Sequence, residues 1–96
     1  MFTGIIENVG LLIEIQTEEE NVHFTVQSSL ANELKVDQSV AHNGVCLTVV
    51  KQWKDKYTVT AVKETLAVSN LSNLKLGHKI NLERCMQMNG RLDGHI

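Results

Sequence analysis

An Asn-Gly pair at residues 43 and 44 constrains the fold of this chain more than any other feature. It separates two strand-like runs, "QSVAH" before it and "VCLTVVKQW" after it. Such a pair is a strong hairpin signal, because both residues tolerate the positive φ angles of a two-residue turn. Elsewhere, short runs rich in Val, Ile and Thr alternate with turn residues, which is typical of strands. The sequence therefore predicts an antiparallel β fold.

The pattern predicts six strands, at residues 4–16, 22–27, 38–42, 45–53, 57–63 and 78–85. We expect Gly10 to mark a bend or bulge in the first strand. The acidic residues 17–21 and the "KDK" stretch are expected to form hairpin tips. Ser29 is expected to cap a short helix within residues 28–35. Residues 64–74 mix Leu with Ser and Asn, which predicts a short helix or an irregular connection.

Two segments echo one another, "LKVDQSV" from residue 34 and "LKLGHKI" from residue 74. Each is expected to lead from a short helix into a strand. Two such corners suit a Greek-key barrel, and closing the barrel removes exposed strand edges. The predicted fold is all-β, a six-stranded antiparallel Greek-key β-barrel with short helices at the ends. We assign residues 1–90 to this single domain and residues 91–96 to the start of a linker.

Charge and composition exclude several classes of function. The net charge is −2 and the nine Lys and Arg residues form no cluster, which argues against nucleic-acid binding. No apolar run approaches the ~20 residues of a membrane span. The first residues lack the pattern of a signal peptide, so we expect a cytoplasmic protein. The four histidines are too dispersed for a recognisable zinc pattern, and we expect no metal.

Cys46 and Thr48 alternate with Val45, Leu47 and Val49 along one strand. Aliphatic side chains are the better core candidates, which would turn Cys46 and Thr48 outward to line a cleft. In the alternative, which the residues alone leave open, both are simply small inward-facing residues. Without a signal peptide, two cysteines are more often reduced than bridged, so we expect free thiols at Cys46 and Cys85. A reactive thiol would need a nearby cation, for which His42 is the nearest candidate.

Several motifs together resemble the first half of riboflavin synthase of the trimeric α-chain type. They are "MFTGIIE", "AHNGVCLTV", "KETL", "NL" followed by "LKLG", and "INLER", and the likeness runs over the whole chain. The resemblance implies a longer protein with two similar six-stranded barrels and a C-terminal helix. This chain would be the N-terminal barrel, and "DGHI" would begin the linker to a second barrel that is absent here.

The resemblance implies a transferase that moves a four-carbon unit between two molecules of 6,7-dimethyl-8-ribityllumazine. The products would be riboflavin and 5-amino-6-ribitylaminopyrimidinedione, with no cofactor and no metal. Catalysis would rest on orientation of the two rings, with general acid–base help. The family's site lies between the N-barrel of one subunit and the C-barrel of its neighbour in a homotrimer. We expect this single barrel to bind lumazine or riboflavin as a half-site and to form a homodimer.

The site residues also follow from the resemblance, which favours the outward orientation of Cys46 and Thr48. Catalytic roles fall on Phe2, Ser39 and Cys46, with Cys46 as a positioning or proton-relay residue. Substrate contacts fall on Gly4, Ile5, Ile6, Cys46, Leu47, Thr48, Thr60, Ala61, Val62, Lys63, Glu64 and Thr65. The alternative function is that of a non-enzymatic lumazine- or flavin-binding antenna protein, which shares the fold but departs from the family at ligand contacts.

Overall fold

The computed structural model describes residues 8–85, which form a closed six-stranded antiparallel β-barrel. The predicted fold class is therefore confirmed. The strands are β1 (Asn8–Glu18), β2 (Asn21–Gln27), β3 (Ser39–His42), β4 (Val45–Trp53), β5 (Lys56–Ala61) and β6 (Lys79–Arg84). A short helix, α1 (Lys63–Ala67), and two 3₁₀ helices, Ser29–Glu33 and Leu71–Asn73, lie in the connections. Around the barrel the strand order is β1-β2-β5-β4-β3-β6.

The core fills the barrel with one face of every strand. Alternate residues of a strand point to opposite faces, so each strand contributes every second side chain to the interior. Burying one such aliphatic side chain contributes roughly 1.5–3 kcal/mol. The Leu and Val residues at 0% exposure are Leu12, Val26, Val40, Val49, Val59 and Leu82.

The Asn-Gly hairpin forms as predicted. Asn43 and Gly44 have φ angles of 52° and 90°, as a two-residue turn between right-twisted strands requires. The hairpin between β1 and β2 is tighter than expected, because β1 continues to Glu18 and only two residues, Glu19 and Glu20, form its tip. The prediction of a five-residue loop there was wrong, because Thr17 pairs with Val22 and Glu18 pairs with Asn21, which extends the ladder to the two-residue tip.

Two local predictions need correction. The 3₁₀ helix is capped by Ser28, whose side chain accepts from the Leu30 N–H at 3.1 Å, and not by Ser29. Gly10 pairs regularly with Ile80 and forms no bulge; the bulge in β1 lies between Leu12 and Glu14. Gly10 is required for close packing, because an added Cβ would clash with Val26 and lie 2.9 Å from Leu82 Cδ1.

The two echoed corners are built alike. The Lys35 N–H donates to Gln38 Oε1 at 3.0 Å, and the Lys75 N–H donates to His78 Nδ1 at 3.1 Å. The return bonds, from the N–H of Gln38 and of His78 to the carbonyls of Lys35 and Lys75, are both 3.0 Å. The prediction that each corner leads from a short helix into a strand is confirmed.

Each corner is hydrogen-bonded to a strand of the other half of the chain, the first corner to β4 and the second corner to β1. The Asp37 N–H donates to the Val49 carbonyl at 2.8 Å, and the Gly77 N–H donates to the Leu12 carbonyl at 2.9 Å. Asp37 and Gly77 share a positive φ, of 80° and 88°. Since bulges follow both Leu12 and Val49, the two halves of the barrel correspond strand by strand, β1 to β4, β2 to β5 and β3 to β6.

Candidate functional site

The face of β4 that the sequence left undecided is settled by burial. Leu47 and Val49 are 6% and 0% exposed and point into the barrel. Cys46 and Thr48 are exposed on the outer face. The aliphatic set therefore fills the core, and the thiol and hydroxyl positions face outward.

Strand register aligns three of the predicted site residues in one row across the outer face. Ser39 on β3 lies opposite Thr48 on β4, and Thr48 lies opposite Thr60 on β5. Neighbouring strands are about 4.8 Å apart, so the row spans roughly 10 Å. The row therefore places three hydroxyl groups, each able to donate or accept a hydrogen bond, side by side on adjacent strands.

The end of β5 and α1 adjoin this row. Extending the β4–β5 register by two residues places Val62 beside Cys46. Val62 is 44% exposed and precedes α1, whose first turn carries Lys63, Glu64 and Thr65. The Lys63 ammonium lies 3.7 Å from Glu20 Oε2, and both side chains are largely exposed, so the pair contributes little to stability.

Two predicted contact residues point away from the row. The side chains of Leu47 and Ala61 are buried in the core cluster. They can meet an external ligand only through backbone groups. Phe2, Gly4, Ile5 and Ile6, and the linker at residues 91–96, lie outside the described residues.

Cys46 forms a disulfide with Cys85, so the prediction of two reduced thiols was wrong for this structure. The bond crosses over β3, because Cys46 lies opposite Ala41, and Ala41 lies opposite Glu83 on β6, two residues before Cys85. The Cα atoms are 6.9 Å apart, although 39 residues separate the cysteines in sequence. A disulfide sulfur carries no proton, so Cys46 cannot relay one in this state.

His42 is not the cation that a reactive Cys46 would need. Its side chain is 1% exposed and lies inside the barrel. Nδ1 lies 2.9 Å from the Val40 carbonyl and Nε2 lies 2.8 Å from the Tyr57 hydroxyl. Burial lowers the pKa of His42 to about 4, so it is neutral at pH 7. Burial also raises the pKa of Tyr57.

His23 extends the row of hydroxyl groups, and the sequence analysis missed it as a site residue. It lies opposite Thr60 on β2, and its Nδ1 is 2.8 Å from Thr60 Oγ1. Its Nε2 is 2.7 Å from Glu18 Oε1. The available signal was its position on the polar face of β2, but the partner strand could not be read from local sequence.

An open cleft of about 530 Å³ adjoins His23 on the outer face. Its floor includes Thr25 and Thr58, whose hydroxyls are 2.9 Å apart. Lys51 and Trp53 line one side. Among residues 8–85, no group of three or more His, Cys, Asp or Glu side chains is arranged to hold a metal ion. No helix in that part of the chain is long and apolar enough to cross a membrane.

Comparison with known proteins identifies the family. The profile described as "Lumazine binding domain" matches residues 3–85. This chain belongs to that family. The lumazine-binding domain described here is also similar to the solved structure of LumP complexed with riboflavin, with a TM-score of 0.82 at 23% identity over 98% of this chain and 51% of LumP. At that identity the similarity shows the fold.

Curated relatives are riboflavin synthases. The lumazine-binding domain is 38% identical to riboflavin synthase from Bacillus subtilis (strain 168) over 97 residues, which cover 100% of this chain and 45% of the relative. Identity to riboflavin synthase from Escherichia coli (strain K12) is 34% over 98 residues, with 100% and 46% coverage. The chain thus spans about half the length of the curated relatives it matches.

Proposed function

We propose that this chain is the N-terminal, ligand-binding barrel of a riboflavin synthase. The observation that supports it best is the row of Ser39, Thr48 and Thr60 on three adjacent strands. The exposed Val62 and the first turn of α1 adjoin that row. The 38% identity to a riboflavin synthase over the whole chain supports the same proposal.

The proposed reaction transfers a four-carbon unit between two molecules of 6,7-dimethyl-8-ribityllumazine. It yields riboflavin and 5-amino-6-ribitylaminopyrimidinedione without a cofactor or metal. The lumazine ring is electron-poor, so a proton of its 7-methyl group is acidic. The protein mainly has to hold two rings in a reactive geometry, and such orientation supplies a large part of a rate enhancement.

In this proposal the barrel binds one of the two rings. The hydroxyls of Ser39, Thr48 and Thr60 hydrogen-bond the polar edge of the heterocycle, together with backbone groups of Leu47 and Ala61. Glu64 and Thr65 lie at the start of α1, where a polyhydroxyl ribityl chain extends past the strands. Cys46 shapes the edge of the site, and it transfers no proton while it is bonded to Cys85.

The second ring needs a second barrel. In the complete enzyme we propose that this is the C-terminal barrel of a neighbouring subunit in a homotrimer. In this chain a second copy would stand in for it across a twofold axis, which gives a homodimer. The proposed location is the cytoplasm.

The test is a fluorescence titration of the chain with riboflavin, run beside sedimentation equilibrium. We expect saturable quenching at one ligand per chain, in a dimer. Thr48→Val should weaken binding about tenfold, because it leaves a ligand group without its partner. Leu11→Val is the matched control, since Leu11 occupies the position in the other half that corresponds to Thr48, and this change should leave affinity unchanged. Equal loss in both variants, or no quenching by the wild type, would overturn the proposal.

The alternative is an antenna-type carrier that binds the same ligands without converting them. Its support is the fold that the chain shares with LumP. Incubation with 6,7-dimethyl-8-ribityllumazine, followed by chromatography, separates the two functions. Riboflavin that accumulates in proportion to the dimer concentration would exclude a carrier.

A further inference from the structure

Three polar groups stand in series on the outer face beside the hydroxyl row. The Glu18 carboxylate is 2.7 Å from His23 Nε2, and His23 Nδ1 is 2.8 Å from Thr60 Oγ1. They come from β1, β2 and β5, so the series crosses three neighbouring strands. The His23 side chain is 24% exposed, whereas that of Glu18 is 71% exposed. The imidazole of His23 is therefore better shielded from water than the carboxylate of Glu18.

The chemistry of the partners fixes the direction of each hydrogen bond. An ionised carboxylate only accepts, so His23 must carry a proton on Nε2 and donate it to Glu18. In a neutral imidazole the other nitrogen then has no proton and accepts. With the ring in this neutral form, Thr60 donates its hydroxyl proton to His23 Nδ1. With that proton committed, the Thr60 oxygen can only accept a hydrogen bond from any further partner.

Thr60 is the last of the three hydroxyl residues, after Ser39 and Thr48, in the row that we propose binds the ligand. It is half-buried and pairs with Thr48 on one side and with His23 on the other. Without His23, its hydroxyl could rotate and act as donor or acceptor. With His23 in place, the Thr60 hydroxyl oxygen is held as a hydrogen-bond acceptor for the ligand.

We propose that His23, oriented by Glu18, is a positioning residue that fixes Thr60 as a hydrogen-bond acceptor and so makes the site select a ligand with a donor there. This inference rests on the proposed function, because it concerns the same ligand site. The ligand group is an N–H or an O–H. Riboflavin and 6,7-dimethyl-8-ribityllumazine carry both, an N–H on the pyrimidinedione ring and O–H groups on the ribityl chain.

The test measures riboflavin affinity for the whole chain and four variants by fluorescence quenching. Thr60→Val should weaken binding about tenfold, the effect of losing one hydrogen bond to a bound ligand. His23→Leu should weaken it at least threefold, because the Thr60 hydroxyl is then free to rotate. In the double variant, His23→Leu should add nothing to Thr60→Val, since His23 acts through Thr60. His23→Asn should restore most of the affinity, because its amide oxygen can accept where Nδ1 does.

His78→Gln is the matched control for removing a histidine. His78 accepts from the Lys75 N–H in the second corner, and Gln38 makes the same bond with its side chain in the first. Glutamine therefore fits at position 78, and affinity should equal that of the wild type. A nitrogen-15 NMR spectrum of the free protein adds a spectroscopic readout, in which neutral His23 should be protonated at Nε2 and not at Nδ1.

Two ligand analogues identify the donor. 3-Methylriboflavin lacks the ring N–H, and lumiflavin lacks the ribityl hydroxyls. The analogue without the relevant donor should bind wild type and Thr60→Val equally, whereas the other should still lose affinity in that variant. Sensitivity of both analogues to Thr60→Val would overturn the assignment of a single donor.

The failures of the two proposals are distinguishable. A wild-type chain that binds no riboflavin overturns both. A wild-type chain that binds riboflavin, with unchanged affinity in Thr60→Val or in His23→Leu, overturns the role of His23 and leaves the proposed function standing. A proton on Nδ1 instead of Nε2 in the neutral ring also overturns that role.

Discussion

The two halves of the barrel share one architecture but present different outer faces. One row reads Ser39, Thr48 and Thr60 across β3, β4 and β5, so it joins the last strand of the first half to the first two strands of the second. The corresponding row on β6 and β1 begins with Lys79, followed by Leu11. Leu11 is 38% exposed. One face thus offers small hydroxyls and the other offers a cation and an exposed aliphatic chain.

The connections differ as well. In the first half, one residue separates β2 from its 3₁₀ helix, whereas in the second half α1 lies between β5 and its 3₁₀ helix. The candidate site therefore lies where the chain departs from its own repeat. The repeated elements supply the rigid barrel, and the departures supply the polar row and the helix beside it. Substitutions at positions where the two halves differ test whether the differences serve the site while the shared elements serve stability.

Among the differences between the two halves, the disulfide is the one whose loss should lower the free energy of unfolding most. Cys46 corresponds to Val9 in the other half, so only one half carries the bridge. Closing a loop of 39 residues stabilises the fold by about 4 kcal/mol through the unfolded chain. Cys85→Ser should lower the free energy of unfolding by that order, measured in urea without reductant. Equal stability of this variant and wild type would show that the bridge does not form in solution.

His42 is a departure inside the core, because Leu82 lies opposite it at the corresponding position. His42 has a pKa of about 4 when folded and about 6.5 when unfolded. The unfolded chain therefore binds the extra proton between these pH values, and stability falls as the pH falls from 6.5 to 4. The shift corresponds to about 3 kcal/mol over that window.

The measurement for His42 is urea unfolding at several pH values. In the double variant His42→Leu with Tyr57→Phe, both hydrogen-bonding partners are removed together, so no buried polar group is left unpaired. Its stability should be flatter between pH 6.5 and 4 than that of the wild type. A wild-type profile as flat as that of the double variant would contradict the buried neutral histidine.

Gly10 and Leu47 occupy the same position in the two halves, opposite Ile80 and Val40. Gly10→Ala should cost about 2 kcal/mol by overpacking, because the new Cβ meets Val26 and Leu82. In a Val26→Ala background the same change should cost less than half as much, since the nearest atom is gone. Thermal unfolding of the four proteins completes the cycle, and additive costs would contradict the close contact.

The smallest expected change in stability is at the two corners, where Gly77 and Asp37 occupy corresponding positions. Gly77 and Asp37 share a positive φ, and the Cβ of an alanine at position 77 would meet nothing within 4 Å. Gly77→Ala should therefore destabilise by about 1 kcal/mol through backbone strain alone. Asp37→Gly should relieve the same strain and be neutral or stabilising. Urea midpoints that move in the same direction for both variants would contradict the equivalence of the corners.

Local patterns were enough for much of the fold. The period of two put Leu47 and Thr48 on opposite faces, and the Asn43-Gly44 pair gave the hairpin and its register, but burial was needed to show which face is inside. The echo of residues 34–40 and 74–80 gave the two corners. What local sequence could not give was contact between strands far apart in the chain. The disulfide depends on β6 lying beside β3, and the link from Thr60 to His23 depends on β5 lying beside β2.

The site residues divide in the same way. Ser39, Thr48 and Thr60 came from a resemblance, and their alignment in one row is a property of the register. No comparison tests their roles, which stay predictions. His23 was visible on the polar face of its strand, but nothing local distinguished it from any exposed histidine.

The last strand closes the ring against both β1 and β3. Asn8 meets Leu82 across that seam, so the barrel joins its first described residues to its last. During synthesis, β1 to β5 leave the ribosome with two open edges, which can be covered only after β6 has emerged. Such distant pairing is slow and leaves the nascent sheet prone to aggregation in the meantime. The two open edges of the nascent sheet are therefore covered only once β6, which ends at Arg84, has left the ribosome.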